Sequence, residues 1–185
     1  MNTKKTPRLF TRLGMLHLLK NEIPQAIVEF RKALLLDPTN LIALQKLANL
    51  FTLGGEHKEA LKYYEKAISL SKDDLELRCG LAGCLEANEK NAESLAAYEM
   101  IQKQKPDYEM IEFHLSRVHL KLSHLDDAKK FYAEAIKRYP DDPDVKAFGT
   151  DIQEKSEKAE NMSKKDSDLS VETGDKKERK SRKKK

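Results

Sequence analysis

Histidines, two cysteines and a lysine-rich terminus are the groups with which this 185-residue chain could do chemistry. His114, His119 and His124 recur every five residues. On a continuous helix that spacing turns each ring away from the next, and His124 falls where a turn is expected, so no metal site and no cofactor are expected. Cys79 and Cys84 are also five apart, which argues against a disulfide or a metal pair and for two reduced thiols in a reducing compartment. Cys84 reads as a small core residue and Cys79 as an accessible one. The chain contains no glycine-rich phosphate loop, zinc-protease signature or nucleophile elbow. With no acid, base and nucleophile to assemble, it reads as a non-enzyme.

Charge is concentrated at the C-terminus. Lys176, Lys177, Arg179, Lys180, Arg182, Lys183, Lys184 and Lys185 are opposed only by Glu178, a net of +7 in a chain of net +4, which leaves residues 1–175 at −3. With Lys164 and Lys165, followed by a ten-residue gap, these clusters match the spacing of a bipartite nuclear import signal. Charge alone would equally serve nucleic acid, ribosomes or an anionic membrane, or simply solubilise the terminus. No aromatic residue interrupts the run, so it has nothing to stack on a base and would act by charge rather than by shape.

The elements that must position any site follow from a period. Residues 7–142 divide into four blocks of 34 without insertion, 7–40, 41–74, 75–108 and 109–142. Place 24 of each block holds Phe30, Tyr64, Tyr98 and Tyr132 in a chain that is 6% aromatic, a coincidence on the order of 10⁻⁵ by chance, so the register is real. Place 7 holds Leu13, Leu47, Leu81 and Leu115, and place 8 the small Gly14, Ala48, Ala82 and Ser116. Ala26, Ala60, Ser94 and Ala128 share place 20. Small residues let two helix backbones approach while leucines and aromatics fill the space beside them. Asn21, Gly54 with Gly55, Asn88 and Ser123 are the expected turns within blocks, and Pro38, Pro106 and Pro140 the stops at block ends. Lys72 stands where the fourth such proline would be, so Ser71, Asp73 and Asp74 must end that helix instead.

These motifs resemble the tetratricopeptide repeat family, whose 34-residue helix-turn-helix units stack into a right-handed α-solenoid. The resemblance implies an all-α fold of four tandem repeats. Arg78 and Glu112 depart from it at place 4, where the family prefers a large apolar residue, and His17 and His119 replace an aromatic at place 11. Looser packing of repeats three and four is expected there. Beyond the repeats, Val145, Phe148 and Ile152 share one face of an expected capping helix over 143–158. Residues 159–185 bury too little apolar surface to offset chain entropy and are expected to be disordered. Residues 1–6 form a short extension. The acid-free stretch Met1–Asn21 is similar to a targeting presequence, but Phe10, Leu13 and Gly14 already occupy repeat places, so an ordinary first helix capped by Thr6 with Pro7 in its first turn is expected.

By resemblance, the first helix of each repeat lines a concave groove through places 2, 5, 9 and 12. Met15, Leu18, Ile42, Gln45, Asn49, Met110, Phe113, Arg117 and Leu120 are the expected protein-binding residues. The apolar ones would be surface without a structural task, and Asn49 would offer a peptide both donor and acceptor. Some members of the family clamp the C-terminal carboxylates of heat-shock chaperones with lysine, asparagine and arginine. Laid on repeats one to three, that pattern meets Thr11, Met15, Lys46, Glu76 and Gly80, and on repeats two to four only Asn49 fits. No such clamp is expected.

With 39% apolar and 36% charged residues and no apolar run of about 18, no transmembrane span is expected. The sequence therefore points to a cytoplasmic adaptor, or a nuclear one in a eukaryotic cell, that binds a protein or peptide partner. The alternatives are a nucleic-acid- or ribosome-associated factor acting through its tail, and an assembly chaperone of the bacterial secretion type.

Overall fold

The computed structural model describes residues 6–182, with side chains from residue 6 to residue 162. The repeats form eight helices: α1 (Pro7–Leu19), α2 (Ile23–Leu36), α3 (Leu41–Leu53), α4 (His57–Leu70), α5 (Leu75–Ala87), α6 (Asn91–Gln104), α7 (Ile111–Lys121) and α8 (Leu125–Arg138). A ninth, α9, runs Pro143–Arg182. Each packs chiefly on its neighbours in the chain, and α3 also touches α5, which is the contact pattern of a solenoid.

Local chemistry sets the helix starts. Thr6, Asn40 and Asp74 cap α1, α3 and α5 by accepting the backbone N–H of Leu9, Ala43 and Leu77 at 3.3, 3.1 and 3.1 Å. Lys72, in the place of a proline, is tied down from the next helix: Arg78 donates to its carbonyl at 2.5 Å. The other departure at place 4, Glu112, accepts from Arg138 at 2.7 Å through Oε1, while its Oε2 and Arg78 Nε are buried without a hydrogen bond among the described residues.

Small residues are where helices meet. A side chain carbon on Gly14 would lie 2.8 Å from the Phe30 ring, and one on Gly80 would lie 2.5 Å from Tyr64, so these two aromatics need bare backbone opposite them. Ser94 and Ser116 keep their hydroxyls satisfied across the same gaps by donating to the carbonyls of Ala82 and Ala128 at 2.8 and 2.7 Å. Ala26, Ala60 and Ala128 are fully buried.

The turns within repeats share one conformation. Asn21, Gly55, Glu89 and Ser123, all at place 15, have φ of 57°, 76°, 62° and 63°. In the third repeat the left-handed residue is thus Glu89, while Asn88, the expected turn residue, caps α5 and donates its amide to Cys84 O at 2.8 Å. Glutamate in this region is strained by roughly 1–2 kcal/mol, of which glycine's extra chain entropy would take back part. Glu89→Gly should therefore gain about 0.5–1 kcal/mol in urea unfolding. An unchanged or lower stability would show that residue 89 is not held left-handed in solution.

The C-terminal helix closes the stack. Val145 and Ile152 are 0% and 5% exposed, joining Phe113 with Ala135 and Leu120 with Ala128 respectively. Each such burial contributes roughly 1.5–3 kcal/mol. Helical backbone continues to Arg182, past residue 158 where the sequence pattern ended the capping helix. Of the segment 159–185 expected to be disordered, the side chains of 163–182 and the whole of 183–185 lie outside the described residues. Among the described residues no helix is long and apolar enough to cross a membrane.

Candidate protein-binding groove

The side chains at the expected groove places of α1, α3, α5 and α7 are in different states. On α1, Thr11 is buried, donating to Pro7 O at 3.0 Å and accepting from Asn40 Nδ2 at 3.1 Å, so it belongs to the joint between repeats. Met15 is 37% exposed and Leu18 is half-buried against the core of the first two repeats. On α3, Ile42 is 54% exposed. Gln45 Nε2 donates to Glu76 Oε1 on α5 at 3.1 Å. Asn49 does not have both its amide groups free: its Oδ1 accepts the Tyr64 hydroxyl at 2.6 Å.

Toward the C-terminal end the row is occupied by the protein itself. Met110 is not on a helix face; it precedes α7 in a left-handed conformation, φ 59°, with its N–H donated to the Tyr139 hydroxyl at 3.1 Å. Phe113 is 7% exposed and meets Phe148 of α9 edge-on, ring centroids 5.5 Å apart. Leu120 is 4% exposed, packs with Ile152, and its carbonyl accepts from Lys155 Nζ at 2.9 Å. These three were expected to be free apolar surface. Phe113 and Leu120 are instead covered because α9 lies over the fourth repeat as a further first helix would.

Between the two ends lies a charged knot. Glu86 on α5, 2% exposed, pairs with Arg117 at 2.7 Å and Lys121 at 3.0 Å, both on α7. Arg117 also stands over the Phe113 ring, 5.5 Å from its centroid. A cleft of about 380 Å³ opens beside it, lined by Glu86, Arg117, Lys121, Phe148, Asp151 and Lys155 among others. Arg117, expected to orient a partner, thus has a partner within the chain. Glu86 stands at place 12 of the third repeat, a groove place, but was not read as a binding residue, and Lys121 was not singled out, although Glu86 and Arg117 sit 31 residues apart, as Gln45 and Glu76 do.

The thiols and rings fall as follows. Cys84 is buried, as its register position implied, and shares a contact of 3.1 Å with the Thr52 hydroxyl. Cys79 is half-buried rather than open, and burial pushes its thiol up from the usual range, which makes it a poor nucleophile. His114 stacks on Tyr98 at 5.0 Å, and burial pulls it down to about 4, so the ring is neutral at physiological pH. The expectation that His119 and His124 turn away from each other does not hold. α7 ends between them, and the turn brings both rings to Asp127, with one ligand-capable atom of each residue within 4.8 Å of the others. The basic residues Lys176, Lys177, Arg179, Lys180, Arg182, Lys183, Lys184 and Lys185 have side chains outside the described residues.

Comparison with known proteins gives a consistent result. Family models described as tetratricopeptide repeat match residues 11–74, 51–112 and 113–142. Superkiller complex protein 3 of Mus musculus and that of Homo sapiens are each 29% identical over 97 residues, 52% of this chain and 6% of theirs. The chain thus matches only a small part of these curated relatives. Among solved structures, a tetratricopeptide repeat protein from Parabacteroides merdae superposes with a TM-score of 0.73 at 16% identity, covering 82% of this chain and 59% of that one. MamA from Desulfovibrio magneticus gives 0.68 at 17%, covering 75% and 80%. PilF from Pseudomonas aeruginosa gives 0.66 at 23%, covering 82% and 69%. At such identities the likeness speaks for the fold alone.

Proposed function

Since the chain belongs to the tetratricopeptide repeat family, we propose that it is a non-enzymatic adaptor holding a segment of another protein against the first helices of repeats one and two. One observation carries this reading: Met15 and Ile42, at groove places on α1 and α3, keep 37% and 54% of their surface in water although neither is needed by the core. Apolar surface at such a place is what a partner side chain can desolvate. Leu18 extends the apolar strip, and the amide of Asn49 and the half-buried Gln45 flank it with hydrogen-bonding groups. The far end of the row, where α9 covers Phe113 and Leu120, is the less accessible half, so the segment is placed toward the N-terminal repeats. That the superkiller relative is by its name a component of a complex supports a scaffolding role. The run of net +7 at residues 176–185 would add localisation to a polyanion through charge.

The test is affinity capture with the full chain beside the pair Met15→Ser and Ile42→Ser. Loss of the two apolar contacts should weaken capture by about 30-fold, corresponding to about 2 kcal/mol, because such anchors carry most of an interface's energy. Both side chains lie outside the core, so helicity and melting temperature should barely change. Full retention of the captured partner by the double variant would place binding on another surface.

A further inference from the structure

The turn between α7 and α8 gathers three groups that packing alone does not account for. His119 lies in the last turn of α7, His124 immediately precedes α8, and Asp127 stands in the first turn of α8. Ser123 takes a φ of 63°, and the N–H of His124 closes on the carbonyl of His119 at 2.9 Å. The chain therefore doubles back where a continuous helix would have carried the rings apart.

His119 decides what the cluster is for. It is 7% exposed and its ring is held by stacking on Phe131, centroids 5.4 Å apart and planes within 11°. Its Nδ1 is buried and has no hydrogen-bond partner among the described residues. Asp127 Oδ2, at 4.0 Å, is near but beyond hydrogen-bond reach. A buried nitrogen without a partner has lost its hydration uncompensated and calls for an ion or a water to complete it.

We propose that His119 Nδ1, a ring nitrogen of His124 and the Asp127 carboxylate bind a zinc-class divalent cation, leaving a fourth position open to solvent. Two imidazoles and one carboxylate suit borderline first-row ions, whereas calcium and magnesium take oxygen sets. Metal bonds of about 2.0–2.2 Å require the ligand atoms to close to within roughly 3.5 Å of one another. The movement falls on His124, which is exposed, and on Asp127, whose side chain is 59% exposed, while His119 stays fixed by its stack. Asp126 beside Asp127 in the same turn adds negative charge that offsets the positive end of α8. A bound ion would clip α7 to α8 in the repeat that α9 closes.

Zinc(II) is added to the full, nitrogen-15-labelled chain, and the histidine ring nitrogens are followed by NMR. The His119 and His124 resonances should shift on the first equivalent, and the melting temperature should rise with zinc. His124→Ala and Asp127→Asn, both at exposed side chains, should each leave the fold intact and weaken zinc binding by at least about tenfold, since even outer-sphere partners contribute that much. Zinc binding that leaves the His119 and His124 resonances unmoved, or wild-type affinity surviving both substitutions, would put the ion elsewhere, at the thiols for instance, and overturn the proposal. So would a preference for calcium, or no binding at a hundredfold excess of zinc.

Discussion

Phe113→Ala is expected to lower folding stability by about 3–5 kcal/mol, the cost of emptying an aromatic side chain from a core that cannot fully collapse. Phe113 is 7% exposed, with Ala135 and Val145 packed around it, the edge-on ring of Phe148 at 5.5 Å and the Arg117 guanidinium 5.5 Å from its centroid. Deleting it opens a void at the joint between α7 and α9, so the attachment of the C-terminal helix should weaken first. Urea unfolding measures the total. A double-mutant cycle with Phe148→Ala should return a coupling of about 0.5–1.5 kcal/mol for the ring pair. A free groove anchor at this position would behave otherwise: stability would fall by less than about 0.5 kcal/mol, as for other surface substitutions, and only partner capture would suffer. The same substitution therefore separates a structural Phe113 from a binding one.

Repeat architecture was legible because every repeat states it again. α1, α3 and α5 begin at residues 7, 41 and 75, and α2, α4, α6 and α8 at 23, 57, 91 and 125, each step being the 34-residue period. α7 begins at Ile111 rather than 109. Nothing in Met110 advertises a left-handed residue, and the Tyr139 hydroxyl that receives its N–H comes from 29 residues downstream. Glu89 escaped notice for the same reason, since its conformation is imposed by the joint between α5 and α6 against its own preference.

The groove was legible as a set of places and not as a surface. Which places stay exposed depends on where α9 lies, and the pattern of Val145, Phe148 and Ile152 says only that this helix must cover something. The histidine cluster was hidden although its turn was expected: Ser123 and His124 were read as turn residues, but the spacing alone does not say that a left-handed Ser123, φ 63°, folds the His119 and His124 rings back to Asp127. Two polar contacts between successive first helices, by contrast, share a spacing available from the period. Gln45 with Glu76 and Glu86 with Arg117 are both 31 residues apart, one period less about one helical turn, which is the stagger between successive first helices.

Replacing both cations of the charged knot, Arg117→Leu with Lys121→Leu, is expected to cost about 3–5 kcal/mol, because it leaves a carboxylate buried without a partner. Glu86 is 2% exposed, and its Oε2 already has no hydrogen bond among the described residues. Its two ion pairs, at 2.7 and 3.0 Å, are thus the chief compensation for its lost hydration. Desolvating a charge costs more than the attraction between exposed partners repays, so the penalty arises almost wholly from stranding Glu86 rather than from losing two partly exposed cations. Adding Glu86→Leu should then recover most of the loss, since an apolar triad of similar volume is often no less stable than the ionic one it replaces. Urea unfolding of the double and triple variants decides it. A triple variant as unstable as the double would mean that the loss came from the packing of the Arg117 and Lys121 stems against α9 and Phe113, and that the buried charge was never the determining term.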